Sequence, residues 1–288
     1  MIRLNDFIKT QFEQLLRSYH HSLSTTPVSD EEDFIDKTVQ TFQNFQAQGG
    51  GQSLTTRSVK LHGKPIVSFG SSLALPSSQI IQRELADLLF VFKHLLNGQL
   101  DAYRASLVQT KFTSKTAKSW SIETGQFWLM TYWPIFHIVK PAKFSKTYDL
   151  EPRNLSWSLY GFVCPDAAEY PIYYSSKRIL RAKGLSIPSS HHFSFALNHM
   201  PKVWVYNFGF LSKLLQGLIG ENLLSNMEVK FLIEDLYKLA NLLPDPPGEF
   251  QWGNERSEEE KGFGIIEFTL KDEGRYERPP KIVYPPFP

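Results

Sequence analysis

The sequence predicts an α/β or α+β fold, and three observations carry that reading. Helix-like and strand-like segments alternate along the chain. The 288 residues are 42% hydrophobic and 14% aromatic, ample for a buried core. No repeat of fixed period is present. The length suits one large domain or two small ones. A net charge of +2 is close to neutral, so attraction to nucleic acid has to come from local patches. The single cysteine, Cys164, excludes an internal disulfide and a multi-cysteine zinc site, a pattern that fits a reducing cytoplasm. The start, MIRLNDFIKTQFEQLL, is charged throughout and unlike a signal peptide. No apolar run approaches the roughly 18 residues needed to span a bilayer. A cytoplasmic protein without membrane contact is the expectation.

Taken in order, Leu4, Phe7, Ile8, Phe12, Leu15, Leu16 and Tyr19 recur at helical spacing and predict an amphipathic helix. Ser29 with Glu32 three residues later reads as a capping box for a second helix running to about Gln48. Gly49-Gly50-Gly51 then stops it and gives a flexible joint. These helices read as packing or partner-contact elements. SVKL and PIVSF are short extended runs around His62-Gly63-Lys64, a hairpin-like connection. Ser77-Ser78 caps a short helix, QIIQREL, which delivers Glu84. Two apolar runs about Asn97-Gly98 then form a hairpin.

KSWSIETGQFWLMTYWPIF reads as a loop and then a helix ended by Pro134. SWSLYGFV and YPIYY are extended, and FGFLSKLLQGLIG and EVKFLIEDLYKLANLL helical. The end holds LPDPPGEF, a solvated acidic ERSEEEKG stretch, the strand-like FGIIEFTL and a proline-rich ERPPKIVYPPFP. The division expected is accessory N-terminal helices over 1–55, a core over 56–220, and a C-terminal helix with an extended tail over 221–288.

Polar residues at the open end of the hairpin are the candidate site. In an antiparallel hairpin the start of the first strand lies beside the end of the second. Asp87 is thereby brought near Gln109 and Lys111, which share one face because they are two apart. Glu84, on the last turn of the preceding helix, joins them. Two carboxylates, an amide oxygen and an ammonium suit Mg²⁺, which takes hard oxygen ligands. Asp87 is the first ligand. The Gln109 side chain and the Thr110 main-chain carbonyl add to it, and Glu84 acts directly or through water. Lys111 sits beside the attacking water or a phosphate. Register tests this: a regular two-residue loop pairs Leu96 with Gln99 and places Asp87 opposite Val108. One shared site needs Asp87 opposite Gln109, hence a longer loop or a bulge, and the shifted register is expected.

Helix-Glu, strand-Asp, hairpin, then Gln-x-Lys resembles the core of the PD-(D/E)XK nuclease superfamily. The resemblance covers about residues 57 to 140 and rests on PIV, RELADLLFVF, LVQTKF and the following helix with Gln126. It implies a restriction-endonuclease-like fold, a central mixed sheet flanked by helices. It also implies a Mg²⁺-dependent nuclease, with Mn²⁺ as substitute, that hydrolyses phosphodiester bonds in DNA. Asp87 then matches the motif's Asp, Gln109 its acidic position, Lys111 its Lys and Glu84 the helix acid. Bacterial defence or mobile-element biology is the setting of proteins that look like this. Ala86 stands where the motif has Pro. Gln109 stands for Asp or Glu and removes one negative charge, although some members carry Gln-x-Lys. A catalytically inactive nuclease-fold module that binds nucleic acid or a partner protein is the alternative.

Lysines follow the motif: Lys115, Lys118, Lys140, Lys143 and Lys146, against one acid, Glu123, between residues 111 and 148. Lys115, Lys118, Lys140 and Lys143, with Gln126, are the candidate nucleic-acid contacts, set against the reading of a solvated lysine face. Gln126 alternatively reaches back toward the site. The N-terminal helices are candidates for a homodimer or partner contact. His191-His192 shows no metal-site pattern, and neither a dinucleotide fingerprint, a P-loop nor a G-x-S-x-G elbow occurs.

Overall fold

A computed structural model of the chain describes residues 2–61, 63–70, 80–114, 119–140, 146–164, 171–182, 184, 190–196, 209–240 and 262–274. The elements begin with α1 (Asp6–Thr25), α2 (Glu31–Thr41), β1 (Gln46–Gly49), β2 (Gln52–Leu61), β3 (Ile66–Gly70), β4 (Ile80–Glu84), β5 (Leu88–Leu96), β6 (Gln99–Phe112) and β7 (Ser119–Glu123). Next are α3 (Thr124–Tyr132), β8 (Phe136–Lys140), β9 (Thr147–Tyr148), β10 (Ser158–Val163), β11 (Ile172–Ser175), α4 (Ser176–Ala182) and β12 (His192–Ala196). The last are α5 (Gly209–Leu215), β13 (Glu221–Asn222), α6 (Met227–Leu239) and β14 (Phe263–Asp272).

The expected central mixed sheet flanked by helices is present. Its order is β1-β2-β14-β5-β6-β10-β11, with β13 paired to the first half of β6. β14 runs parallel to β5 and β10 parallel to β6, while the other pairs are antiparallel. Leu88 through Phe92 are buried on both faces of β5, which explains its unbroken apolar run. A second sheet, β4-β3-β8-β9, and the pair β12-β7 complete the strands described.

Both N-terminal helices form and bury their apolar faces on this sheet. The Asn5 side chain caps α1 by accepting from the Ile8 N–H at 2.8 Å. Ile8, Phe12, Leu16, Tyr19 and Leu23 line its inner side. Phe12 and Phe42 both pack edge-on against Phe268 of β14. The Tyr19 hydroxyl meets the Thr38 Oγ1 at 2.7 Å and ties the two helices together. On the other side of α2, Lys60 of β2 bonds Asp36 at 2.5 Å and also Glu32. No helix among the described residues is long and apolar enough to cross a membrane.

Several local expectations are corrected. The cap of α2 is Asp30, accepting from the Asp33 N–H at 2.8 Å, one residue beyond the Ser29 box. The helix ends at Thr41 instead of Gln48. Asn44 takes a left-handed φ of 59°, and residues 46–49 pair with β2. Gly50 and Gly51, at φ 55° and 76°, make the turn of that hairpin rather than a flexible joint. QIIQREL is not a helix, because residues 80–84 form β4. So short a helix is unstable alone, whereas β3 lies alongside as a partner, from Ile66 opposite Glu84 to Gly70 opposite Ile80. SVKL and PIVSF are not a hairpin, since β2 joins the large sheet and β3 the small one. SWSIE is strand β7, paired with β12, rather than loop. Ser77-Ser78, LPDPPGEF, the ERSEEEK part of the acidic stretch and the proline-rich end lie outside the described residues. FGIIEFTL is indeed a strand, and β14 sits inside the sheet between β2 and β5. Strands from all three segments, 1–55, 56–220 and 221–288, thus lie in one sheet.

β14 also sets the height of α2. A Cβ at Gly264 would come within 2.7 Å of Leu88 Cδ2 and 2.8 Å of Val39 Cγ2. A side chain there has to push α2 or Leu88 away. Gly264→Val is expected to cost about 1–3 kcal/mol by overpacking. Urea unfolding midpoints of the two proteins check this.

Candidate active site at the open end of the β5–β6 hairpin

The hairpin has the shifted register that one shared site needs. Leu96 pairs with Gln99 across Asn97 and Gly98, at φ 50° and 78°. Leu95 then pairs with Leu100 but His94 with Ala102, so Asp101 is a bulged extra residue. Its carboxylate lies 2.8 Å from His94 Nδ1. Beyond the bulge Leu89 faces Leu107 and Leu88 faces Val108.

Asp87 and Gln109 accordingly meet. The Asp87 Oδ2 accepts from Gln109 Nε2 at 2.5 Å, from the Thr110 N–H at 2.5 Å and from the Thr110 hydroxyl at 2.6 Å. The Asp87 N–H donates to the Val108 carbonyl at 3.0 Å, and its own carbonyl accepts from the Gly264 N–H at 2.9 Å. Asp87, Gln109 and Thr110 are all fully buried. Because a carboxylate only accepts, it fixes the amide nitrogen of Gln109 toward itself. The Gln109 oxygen points the other way and accepts from Gln126 of α3. Gln126 also donates to the main-chain carbonyl of Glu84 at 3.3 Å.

A lysine not expected here completes the inner group. Lys64, from the connection between β2 and β3, donates to Asp87 Oδ1 and to Glu84 Oε2 at 3.1 Å. Burial by itself would lower the pKa of this ammonium, but the Asp87 and Glu84 carboxylates outweigh it and hold the pKa above its ordinary value. One step out, Lys111 Nζ lies 3.4 Å from Glu31 Oε1, on the first turn of α2. The same oxygen accepts from the Phe112 N–H at 3.2 Å. Burial raises the Glu31 pKa above its ordinary 4.5, with Lys111 opposing and Asp87 reinforcing the shift. Tyr160 of β10, opposite Gln109, has a buried hydroxyl with no hydrogen-bond partner among the described residues. Burial first, then the carboxylates of Glu123, Asp87 and Glu31, push its pKa well up.

The candidate residues are thus brought together, but two roles change. Glu84 ends a strand, so the helix-borne acid of the corner is Glu31. Thr110 faces Asp87 with its N–H and hydroxyl, while its carbonyl lies 3.5 Å from Gln109 Nε2. Gln126 is a buried brace, not a surface contact. Of the lysines, Lys115, Lys118 and Lys143 lie outside the described residues. Lys140 is exposed at the end of β8. It and Glu84 both pair with Ile66, on either side of β3. That sets Lys140 about 10 Å from Glu84, two strand spacings away.

Glu31 and Lys64 escaped sequence reasoning. Glu31 sits in an acidic first turn, EED, which reads as capping. Lys64 has no local signal beyond a glycine and a proline beside it.

Comparison with known protein families, curated proteins and solved structures finds no match for this chain. Among the described residues no group of three or more His, Cys, Asp or Glu side chains is arranged to hold a metal. The donor chemistry is nonetheless that of a cation site. Asp87 Oδ1 and Glu84 Oε2 converge on one point, and a cation, the Lys64 ammonium, already stands there. Gln109 does not fit the ligand role expected of it, because its oxygen faces Gln126.

Asp87→Ala removes the shared acceptor of an N–H, an amide and a hydroxyl and leaves the buried Lys64 ammonium with Glu84 alone. A loss of about 3–5 kcal/mol is expected, read from urea midpoints. Glu31 gives a pH signature. A carboxyl with a raised folded pKa favours folding fully below its ordinary value and loses that contribution as pH rises through the raised one. The stability of the wild type relative to Glu31→Gln should therefore fall from pH 4.5 upward. Urea midpoints of both chains across that range measure it.

Proposed function

We propose that the chain is a Mg²⁺-dependent nuclease of restriction-endonuclease-like architecture, hydrolysing phosphodiester bonds, with DNA as the expected substrate. The observation that carries this reading is the bulge-shifted hairpin. It joins Asp87 and Gln109-x-Lys111 at one corner with Glu84 and Glu31. Asp87 and Glu84 are the residues to hold the metal. When bound, Mg²⁺ supplies an acidified water and neutralises charge on the phosphate. Three donors to Oδ2 keep the Asp87 carboxylate from rotating, so it presents Oδ1 in one direction. Lys111 exchanges Glu31 for a phosphate oxygen and stabilises the charge that develops there. Released from Lys111, Glu31 accepts the proton of the attacking water, for which its raised pKa suits it. Lys140 contacts the backbone beside the corner.

A second reading has its own observation. Lys64 already balances Asp87 and Glu84, and Gln109 turns its NH₂ inward. Such a corner suits an inactive module that binds nucleic acid without metal.

Duplex DNA, single-stranded DNA and RNA incubated with the purified chain separate the two. The enzyme reading expects cleavage with Mg²⁺ or Mn²⁺ and none with EDTA. Lys111→Ala should lower the rate about 100-fold or more, and Asp87→Asn likewise. Salt-dependent binding with no cleavage of any substrate would favour the module instead. In either case Lys140→Ala should weaken binding and reduce the salt slope by about 1.

A further inference from the structure

We propose that Lys64 is a built-in cation of the corner, and that a divalent metal ion competes with its ammonium for one position between Asp87 and Glu84. This rests on the reading of the corner as a metal site. Three donors crowd the Asp87 Oδ2, which leaves Oδ1 as the oxygen open to a cation. Lys64 occupies that approach and reaches Glu84 as well. Its side chain is only 3% exposed and makes no other bond among those described.

The flanking backbone permits an exchange without unfolding. The Pro65 carbonyl is held by the Leu85 N–H at 2.7 Å, so the chain stays pinned on that side. Gly63, at φ 90°, lies on the other side, and four methylenes separate the ammonium from the backbone. A buried carboxylate without a cation is costly, so the corner holds either the lysine or a metal. The lysine keeps it closed and charge-balanced at rest. A divalent ion gains the advantage once a phosphate brings further oxygen ligands to it. Metal and substrate are thereby expected to bind together rather than in sequence.

Calorimetric titration with Mn²⁺ of the wild-type chain, Lys64→Met and Lys64→Met/Asp87→Asn tests this without an activity readout. Lys64→Met should bind Mn²⁺ at least about tenfold more tightly than wild type, because the competing ion pair is gone. The double variant should lose that site. Equal affinities of wild type and Lys64→Met, both dependent on Asp87, would overturn the competition and leave the metal site standing. No Mn²⁺ binding by either chain would overturn both. Should Lys64→Met fail to fold, amine acetylation of the wild type read by mass spectrometry decides. Labelling of Lys64 should rise with Mn²⁺ while that of Lys9 stays constant. Flat labelling of Lys64 up to millimolar Mn²⁺ would overturn the inference.

Discussion

The carboxylate of Asp87 is fully buried, and a buried charge survives only when its neighbours supply donors and an opposite charge. Those neighbours come from separate parts of the chain. Gln109 and Thr110 arrive on β6, Lys64 on the connection between β2 and β3, and Gln126 on α3 braces Gln109 from behind. The main chain of Asp87 is held in turn by β6 and β14. Meeting this demand requires the two inner strands to be offset by one residue, and the bulge at Asp101 makes that offset.

The outer part of the corner is built on different physics. Glu31, Glu84 and Lys111 are partly exposed and held by single ion pairs, so they can exchange partners at low cost. Asp87, Gln109, Thr110 and Gln126 are locked together by hydrogen bonds, while Lys64 and the outer residues are held by ion pairs that can exchange. Such a division suits a site in which a phosphate replaces one carboxylate. Its position depends on α2, whose height over β14 is fixed by the absence of a side chain at Gly264.

The hairpin and its register were legible in the sequence. Two apolar runs and the Asn-Gly turn locate the strands, and only the offset pairing brings the polar ends together. The first helix and the strand at FGIIEFTL were legible through periodicity. The placement of that strand between β2 and β5 was not, because periodicity gives faces and not neighbours. β4 was misread since five residues carry too little periodic signal, and its partner β3 decides. Glu31 was hidden because an acid in a first helical turn is ordinary capping chemistry. Lys64 was hidden because its significance lies wholly in a contact with Asp87 and Glu84 some twenty residues on. Tertiary charge pairing leaves no trace in spacing.

Manganese scatters anomalously, so a crystal of the chain grown with Mn²⁺ and a short DNA duplex locates both metal and phosphate directly. The account predicts an anomalous peak bonded to Asp87 Oδ1 and Glu84, with Lys64 withdrawn and a phosphate beside Lys111. DNA bound with Lys64 still on Asp87 and no peak at the corner would contradict it.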